Sequence, residues 1–171
     1  PSAKSSTATS GSTTKTQLPT TAPAASFATV SHSLPEIPRE FRGVWIATVA
    51  NIDWPVSGTD SWEKQKKDYL ALLDYYKGLH FNAVIVQIRT AGDALYPTKL
   101  APWSKYLTGQ QGTPPKTQED PLAWMIAAAH QRGLEFHAWL NPYRATMDLN
   151  TAGLNPNHDF HKHRNWMLKY G

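Results

Sequence analysis

Cysteine is absent from the 171 residues, so neither a disulfide nor a thiolate metal site is open to this chain. That absence fits an exported protein as well as a cytosolic one. Acidic side chains are scarce, 13 Asp and Glu against 17 Lys and Arg. Two of the lysines, Lys4 and Lys15, precede the first acid, Glu36, so the remainder carries a surplus of only about two positive charges. So small a surplus gives no electrostatic reason to expect a nucleic-acid partner. No apolar run approaches the roughly 18 to 20 residues that cross a bilayer. What is present is 40% hydrophobic content with seven tryptophans, enough to build the core of one domain.

Residues 1–34 are almost half serine and threonine, with proline and alanine filling much of the rest. Such a composition buries too little apolar surface to offset its ordering entropy, so residues 1–37 are expected to form a disordered tether ahead of a domain spanning 38–171. Tethers of this kind hold exported domains away from a membrane or wall; the alternative is a segment with no role. A signal peptide or a lipid-bearing cysteine ahead of Pro1, and with it membrane tethering, is a further expectation.

From Phe41 the pattern reads strand, helix, strand, helix, strand. FRGVWIATV, NAVIVQIR and LEFHAWLN are short and apolar. Between the first two, DSWEKQKKDYLALLDYYKG sets Trp62, Tyr69, Leu72, Leu73, Tyr76 and Leu79 at helical spacing, with Asp60 as the expected cap, Glu63 completing a capping box and Gly78 as the left-handed exit. In DPLAWMIAAAHQRG, Asp120 caps, Pro121 takes the first helical position and Gly133 ends the turn. Alternating units of this kind predict right-handed crossovers and a parallel sheet.

Within the strands the period of two puts Phe136, Ala138 and Leu140 on one face and His137, Trp139 and Asn141 on the other. In NAVIVQIR it separates Val84, Val86 and Ile88 from Ile85, Gln87 and Arg89. A face that turns polar near the strand C-termini suits the mouth of a barrel better than an open doubly wound sheet, and neither strand-to-helix turn carries a glycine-rich phosphate loop. The fold class expected is therefore α/β, about three units from the N-terminal portion of a (β/α)8 barrel. Gln87, Arg89, His137, Trp139 and Asn141 are expected to share one inward wall.

The connection from Thr90 to Glu119 holds 30 residues, far beyond the usual 2 to 6. Its Tyr96, Trp103 and Tyr106 argue for an ordered, ligand-bearing loop, since aromatic rings stack on the C–H faces of sugars while nearby polar groups take the hydroxyls. The first connection, ANIDWPVSGTD, repeats the theme with Asp53 and Trp54. Any one of these tryptophans has a plain alternative as a plug for the barrel end.

GVWIATVANIDWP, NAVIVQIRTAGDALYPTKLAPWSKYLTG and DPLAWMIAAAHQRGLEFHAWLNPYR together resemble the N-terminal part of the glycosyl-hydrolase-like ten family, bacterial barrel proteins that include envelope lipoproteins. The likeness covers nearly everything from Pro38 to Gly171. It implies a (β/α)8 barrel that hydrolyses glycosidic bonds, with peptidoglycan glycan strands freed of their stem peptides as the associated substrate. Position by position it carries over Arg42, Trp45, Asn51, Asp53, Trp54, Gln87, Arg89, Asp93, Tyr96, Trp103, His137, Trp139, Asn141, Tyr143 and Arg144. No cofactor is implied. A complete barrel needs about 250 residues, so the family's fourth strand, with its acidic Asp-Asp-type motif, is expected after Gly171.

Glycoside hydrolysis ordinarily takes two carboxyl groups flanking the scissile bond. At strand C-terminal ends only Asp53 and Asp93 qualify. Glu135 opens its strand, and Glu119 and Asp120 are read as parts of a helix cap. Asp93, following Arg89, is the preferred site carboxylate, expected to be held ionised by that arginine, with a turn aspartate as the alternative. Asp53 is read as a turn residue or hydroxyl acceptor. Arg89 and Arg144 are candidates for an N-acetyl carbonyl or a lactyl carboxylate, Asn141 offers donor and acceptor, and His137 reads as a hydrogen-bonded wall residue. The C-terminal His158, His161 and His163 do not stack on one helical face. They are expected to be the solvated start of a third helix, with Trp166 and Tyr170 as its buried stripe and no metal. Two function classes follow, a glycosidase of envelope polysaccharide and a non-catalytic carbohydrate binder, with a metal-dependent deacetylase as a third.

Overall fold

A computed structural model describes residues 40–169. The expected tether and Tyr170 lie outside the described residues. Three strands, β1 (Gly43–Ile46), β2 (Ala83–Arg89) and β3 (Glu135–Leu140), form an all-parallel sheet in the order β1-β2-β3. Helix α1 (Trp62–Gly78) joins the first two strands. A short α2 (Lys105–Thr108) and α3 (Pro121–Gln131) join the second and third, and α4 (Asp159–Lys162) follows. This is the α/β alternation expected, as a partial sheet of three units.

One face of the sheet carries the core. Ile46, Val84, Val86 and Ile88 pack against Trp62, Tyr69 and Leu73 of α1 and Met125, Ala128 and Ala129 of α3, with Val44 and Phe136 partly buried beside them. The register sets Trp45 beside Ile85 and Ile85 beside His137, then Gln87 beside Trp139, so these side chains share the other face. A register shift falls between Gln87 and Arg89, and it places Arg89 opposite Leu140. The two outer edges, of β1 and β3, have no strand partner among the described residues.

Several local expectations are corrected. The first strand stops at Ile46, because Ala50 and Asn51 take φ of 54° and 53° in a 3-10 turn that bends the chain across the sheet end. The cap of α1 is Ser61, whose hydroxyl accepts from Lys64 N–H at 3.3 Å; Asp60 instead pairs with Lys64 Nζ. The left-handed exit falls on His80 (φ 64°), two residues beyond Gly78. The buried stripe of α1 is Trp62, Gln65, Tyr69 and Leu73, while Leu79 is exposed. Gln65 is tolerated there because its amide donates to the carbonyls of Ser57, Asp60 and Leu107. At α3 the structure matches the local pattern: Asp120 accepts from Leu122 and Ala123 N–H at 2.9 and 3.2 Å, Pro121 opens the helix, and Gly133 takes φ 63°. Glu119 is not a cap. It accepts from the Trp62 indole at 2.7 Å and pairs with Lys66, and those two contacts, the indole first, hold its carboxyl below the usual range.

Tyr69 is fully buried, its hydroxyl has no hydrogen-bond partner among the described residues, and burial pushes its phenol pKa up. Removing an unsatisfied buried hydroxyl while keeping the ring relieves its desolvation cost. Tyr69→Phe in the complete protein is expected to raise stability by about 1 kcal/mol. A lower thermal midpoint for the variant would show that the hydroxyl is satisfied in solution.

Candidate functional site

The C-terminal ends of the strands are stitched together by side chains that sequence pattern alone assigns to ligand. Gln87 is fully buried; its Oε1 accepts from the N–H groups of Thr48 and Val49 at 3.1 and 3.0 Å, and Thr48 Oγ1 donates to the Gln87 carbonyl at 2.8 Å. Gln87 therefore fixes the exit of β1 to β2, and only its Nε2 remains without a partner among the described residues. Asp53 Oδ2 accepts from Ala47 N–H at 2.7 Å while Asp53 N–H returns a bond to the Ala47 carbonyl, which closes the turn. Asn51 donates to the carbonyls of Pro55 and Tyr106, both at 2.8 Å, so it braces the two connections against each other. Trp54 is buried against Tyr69, and its indole donates to the Gln65 carbonyl at 2.8 Å. Trp54 is a core residue and does not line the open face.

The same holds for the long connection. Asp93 is 2% exposed, and its Oδ1 accepts from Thr90 N–H, Thr90 Oγ1 and Ala91 N–H at 3.1, 2.6 and 3.0 Å. Those bonds hold Oδ1, no ion pair with Arg89 forms among the described residues, and the side chain follows Gly92 at φ 65° in the geometry of a turn aspartate. Tyr96 and Trp103 pack against the core. Tyr106 borders a pocket of about 160 Å³ that also touches Thr90, Asp93, Gln111 and Asp148. Burial, then the Asp93 charge, pushes its phenol up.

Three expected residues do gather on the open face. Trp45 is 59% exposed and meets Trp139 edge to face, centroids 5.0 Å apart at 86°. Trp139 is oriented by its indole N–H, which donates to Asn141 Oδ1 at 2.9 Å, and Asn141 Nδ2 donates in turn to the Thr90 carbonyl at 3.0 Å. His137 sits lower in the strand, with Nε2 3.1 Å from Glu135 Oε2 and its ring edge to face with Phe41. Arg42, before β1, donates from Nε to the His80 carbonyl at 2.8 Å and pairs with Glu40 at 3.3 Å. It belongs to the strand N-terminal end. Tyr143 is 97% exposed, and Arg144, next to it, is exposed with no carboxylate partner among the described residues.

The C-terminal segment departs most from expectation. His158 is not solvated. It is fully buried, its Nε2 lies 3.0 Å from the Ala91 carbonyl, and its Nδ1 accepts from Phe160 N–H at 3.0 Å, capping α4. These partners make Nε2 the protonated nitrogen. His161 is exposed, and His163 stacks on Trp166 at 3.7 Å, so the three histidines point to separate places. Trp166 is 65% exposed rather than part of a buried stripe. No group of three or more His, Cys, Asp or Glu side chains among the described residues is arranged to hold a metal. The segment delivers Asp159, whose Oδ2 lies 3.5 Å from Arg89 Nη2. Sequence pattern does not single out Thr48 or Asp159, and it misplaces His158 in solvent. The two threonines that follow β1 and β2, Thr48 and Thr90, carried a weak signal as polar residues at strand exits, whereas nothing local marks His158 or Asp159.

Comparison with known proteins meets this geometry from outside. The family model described as Glycosyl hydrolase-like 10 matches residues 40–171. The chain is 52% identical over 136 residues to glycosyl hydrolase YngK of Bacillus subtilis, covering 78% of this chain and 26% of that protein. It is 36% identical over 146 residues to glycosyl hydrolase DigH of Escherichia coli, covering 76% of this chain and 33% of that one. The chain spans about a quarter to a third of the length of these curated relatives. On the match across its whole described domain, this chain belongs to the glycosyl hydrolase-like 10 family.

Proposed function

We propose that this chain is the N-terminal part of a (β/α)8 glycoside hydrolase, preceded by a tether and acting on bacterial envelope polysaccharide. The substrate class is peptidoglycan glycan strands lacking stem peptides. One observation carries the sugar reading: the exposed Trp45 and the partly buried Trp139, perpendicular to each other beside the amide of Asn141, offer apolar ring surface next to hydrogen-bonding groups at the strand C-terminal ends. On this reading the three strands supply binding residues, and the acids that cut the bond stand on a later strand. The protein works outside the cytoplasm, secreted or lipid-anchored in the outer membrane.

A second reading has its own support. Asp53 and Asp93 both spend an oxygen on backbone N–H groups, which favours a sugar-binding module without catalysis. Incubating the complete protein with peptide-free glycan strands and with intact sacculi separates the two. Cleaved oligosaccharide from the peptide-free strands is expected. Binding without any change in product mass would select the binding module, and deacetylated but uncut glycan would select a deacetylase.

A further inference from the structure

Arg89 and Asp159, 70 residues apart, are brought together by a segment that is seated at several points. His158 Nε2 donates to the Ala91 carbonyl, Asn155 N–H donates to Gln111 Oε1 at 2.8 Å, and Lys162 Nζ donates to the Leu100 carbonyl at 3.1 Å. The side chains of His158 and Asn155 also occupy the space above Gly92 and Gly112, where any Cβ would collide with them. Asp159 is therefore held in place, with Oδ2 toward Arg89 and Oδ1 3.3 Å from Lys162 Nζ. The pair is three-quarters buried, so its attraction is less screened than that of a surface pair. On β2, Val86 and Ile88 point into the core, which leaves Gln87 and Arg89 on the opposite side. Each keeps one buried N–H without a partner among the described residues, Nε2 of Gln87 and Nε of Arg89. Neither atom is open to solvent, so what a ligand can reach of Arg89 is the remainder of its guanidinium, on a side chain 22% exposed.

We infer that Asp159 is a positioning and specificity residue: it holds Arg89 through Nη2 and offsets its charge, so that the solvent-facing part of the Arg89 guanidinium takes an uncharged sugar oxygen. That oxygen is an acetamido carbonyl or a hydroxyl. A sugar carboxylate is left to Arg144, which stands exposed beyond β3 with no carboxylate partner among the described residues. This division rests on the glycan reading above. Without Asp159, Arg89 and Lys162 would form an uncompensated cationic patch and draw the carboxylate to themselves.

The test uses the complete protein and two ligands, peptide-free glycan strands with carboxylates intact and the same strands with carboxylates reduced to alcohols. Asp159→Asn is expected to weaken binding of the reduced glycan about fivefold while the intact glycan binds as well or better, moving the affinity ratio about fivefold toward charge. Equal losses on both ligands, or no change, overturn the specificity role, because a merely structural residue does not change the ratio. Arg89→Met, Asp159→Asn and the double variant are compared by thermal midpoint without any glycan. The two single shifts are expected to exceed the double in sum, and additive shifts overturn the pairing. Wild-type protein that binds neither glycan would remove the glycan reading and the specificity role with it, and the thermal cycle then decides the Arg89 pairing alone.

Discussion

Replacing Gly92 by valine is expected to dislodge His158 and to cost the complete protein about 3 kcal/mol or more of stability. Three effects add at this position. Its φ of 65° is left-handed, which a β-branched residue adopts only under strain. A Cβ there would stand 2.6 Å from His158 Cε1 and 3.2 Å from the Ala145 carbonyl, so it cannot coexist with the seated imidazole. The backbone cannot swing away, since Asp93 Oδ1 grips the N–H groups of Thr90 and Ala91 just before it. Once displaced, His158 leaves the buried Ala91 carbonyl unpaired and α4 uncapped, each a cost on the order of 1 kcal/mol. Chemical denaturation of wild type and variant measures the difference. A loss below about 1 kcal/mol would mean that the segment after β3 is loosely attached in solution.

Truncating Trp45 to alanine should cost about thirtyfold in affinity for peptide-free glycan while barely moving the thermal midpoint. At 59% exposure this indole contributes little to the core, so what it loses on truncation is contact area for a ligand. Trp139→Ala is expected to cost at least as much affinity and also some stability, because its ring lies beside the buried Gln87 and its indole orients Asn141. The contrast between the two is the informative result. If calorimetry shows that Trp45→Ala leaves glycan affinity intact, the Trp45–Trp139 pair is not a sugar platform.

The parts of this molecule that could be read in advance are those decided by neighbours in the chain. The cap, proline and glycine of α3 lie within a few residues of the bonds they govern, and the period of two correctly separated Val84, Val86 and Ile88 from Gln87. Periodicity reports a face, however, and not a partner. Gln87 looked like a ligand residue because it was polar on the open side, yet its oxygen is consumed by Thr48 and Val49, 39 and 38 residues earlier. Trp54 and Asp93 show the same limit, since an aromatic or an acid after a strand serves a core or a turn as readily as a substrate; Trp54 lies in the core and Asp93 makes the turn that was its alternative. His158 was the largest miss. A histidine in a polar run looks solvated until the fold brings the Ala91 carbonyl to it from 67 residues away.

The anchors of the segment after β3 fall on the long connection at Ala91, Leu100 and Gln111, and the hydrogen bonds of Thr113, Thr117 and Glu119 are made within the connection itself or to α1. Length changes are therefore tolerable at residues 115–118 and ruinous near the two glycine sockets, Gly92 and Gly112. A reporter peptide or crosslinking handle spliced into that stretch would leave the clasp intact, giving a direct way to test whether this domain meets the proposed glycan.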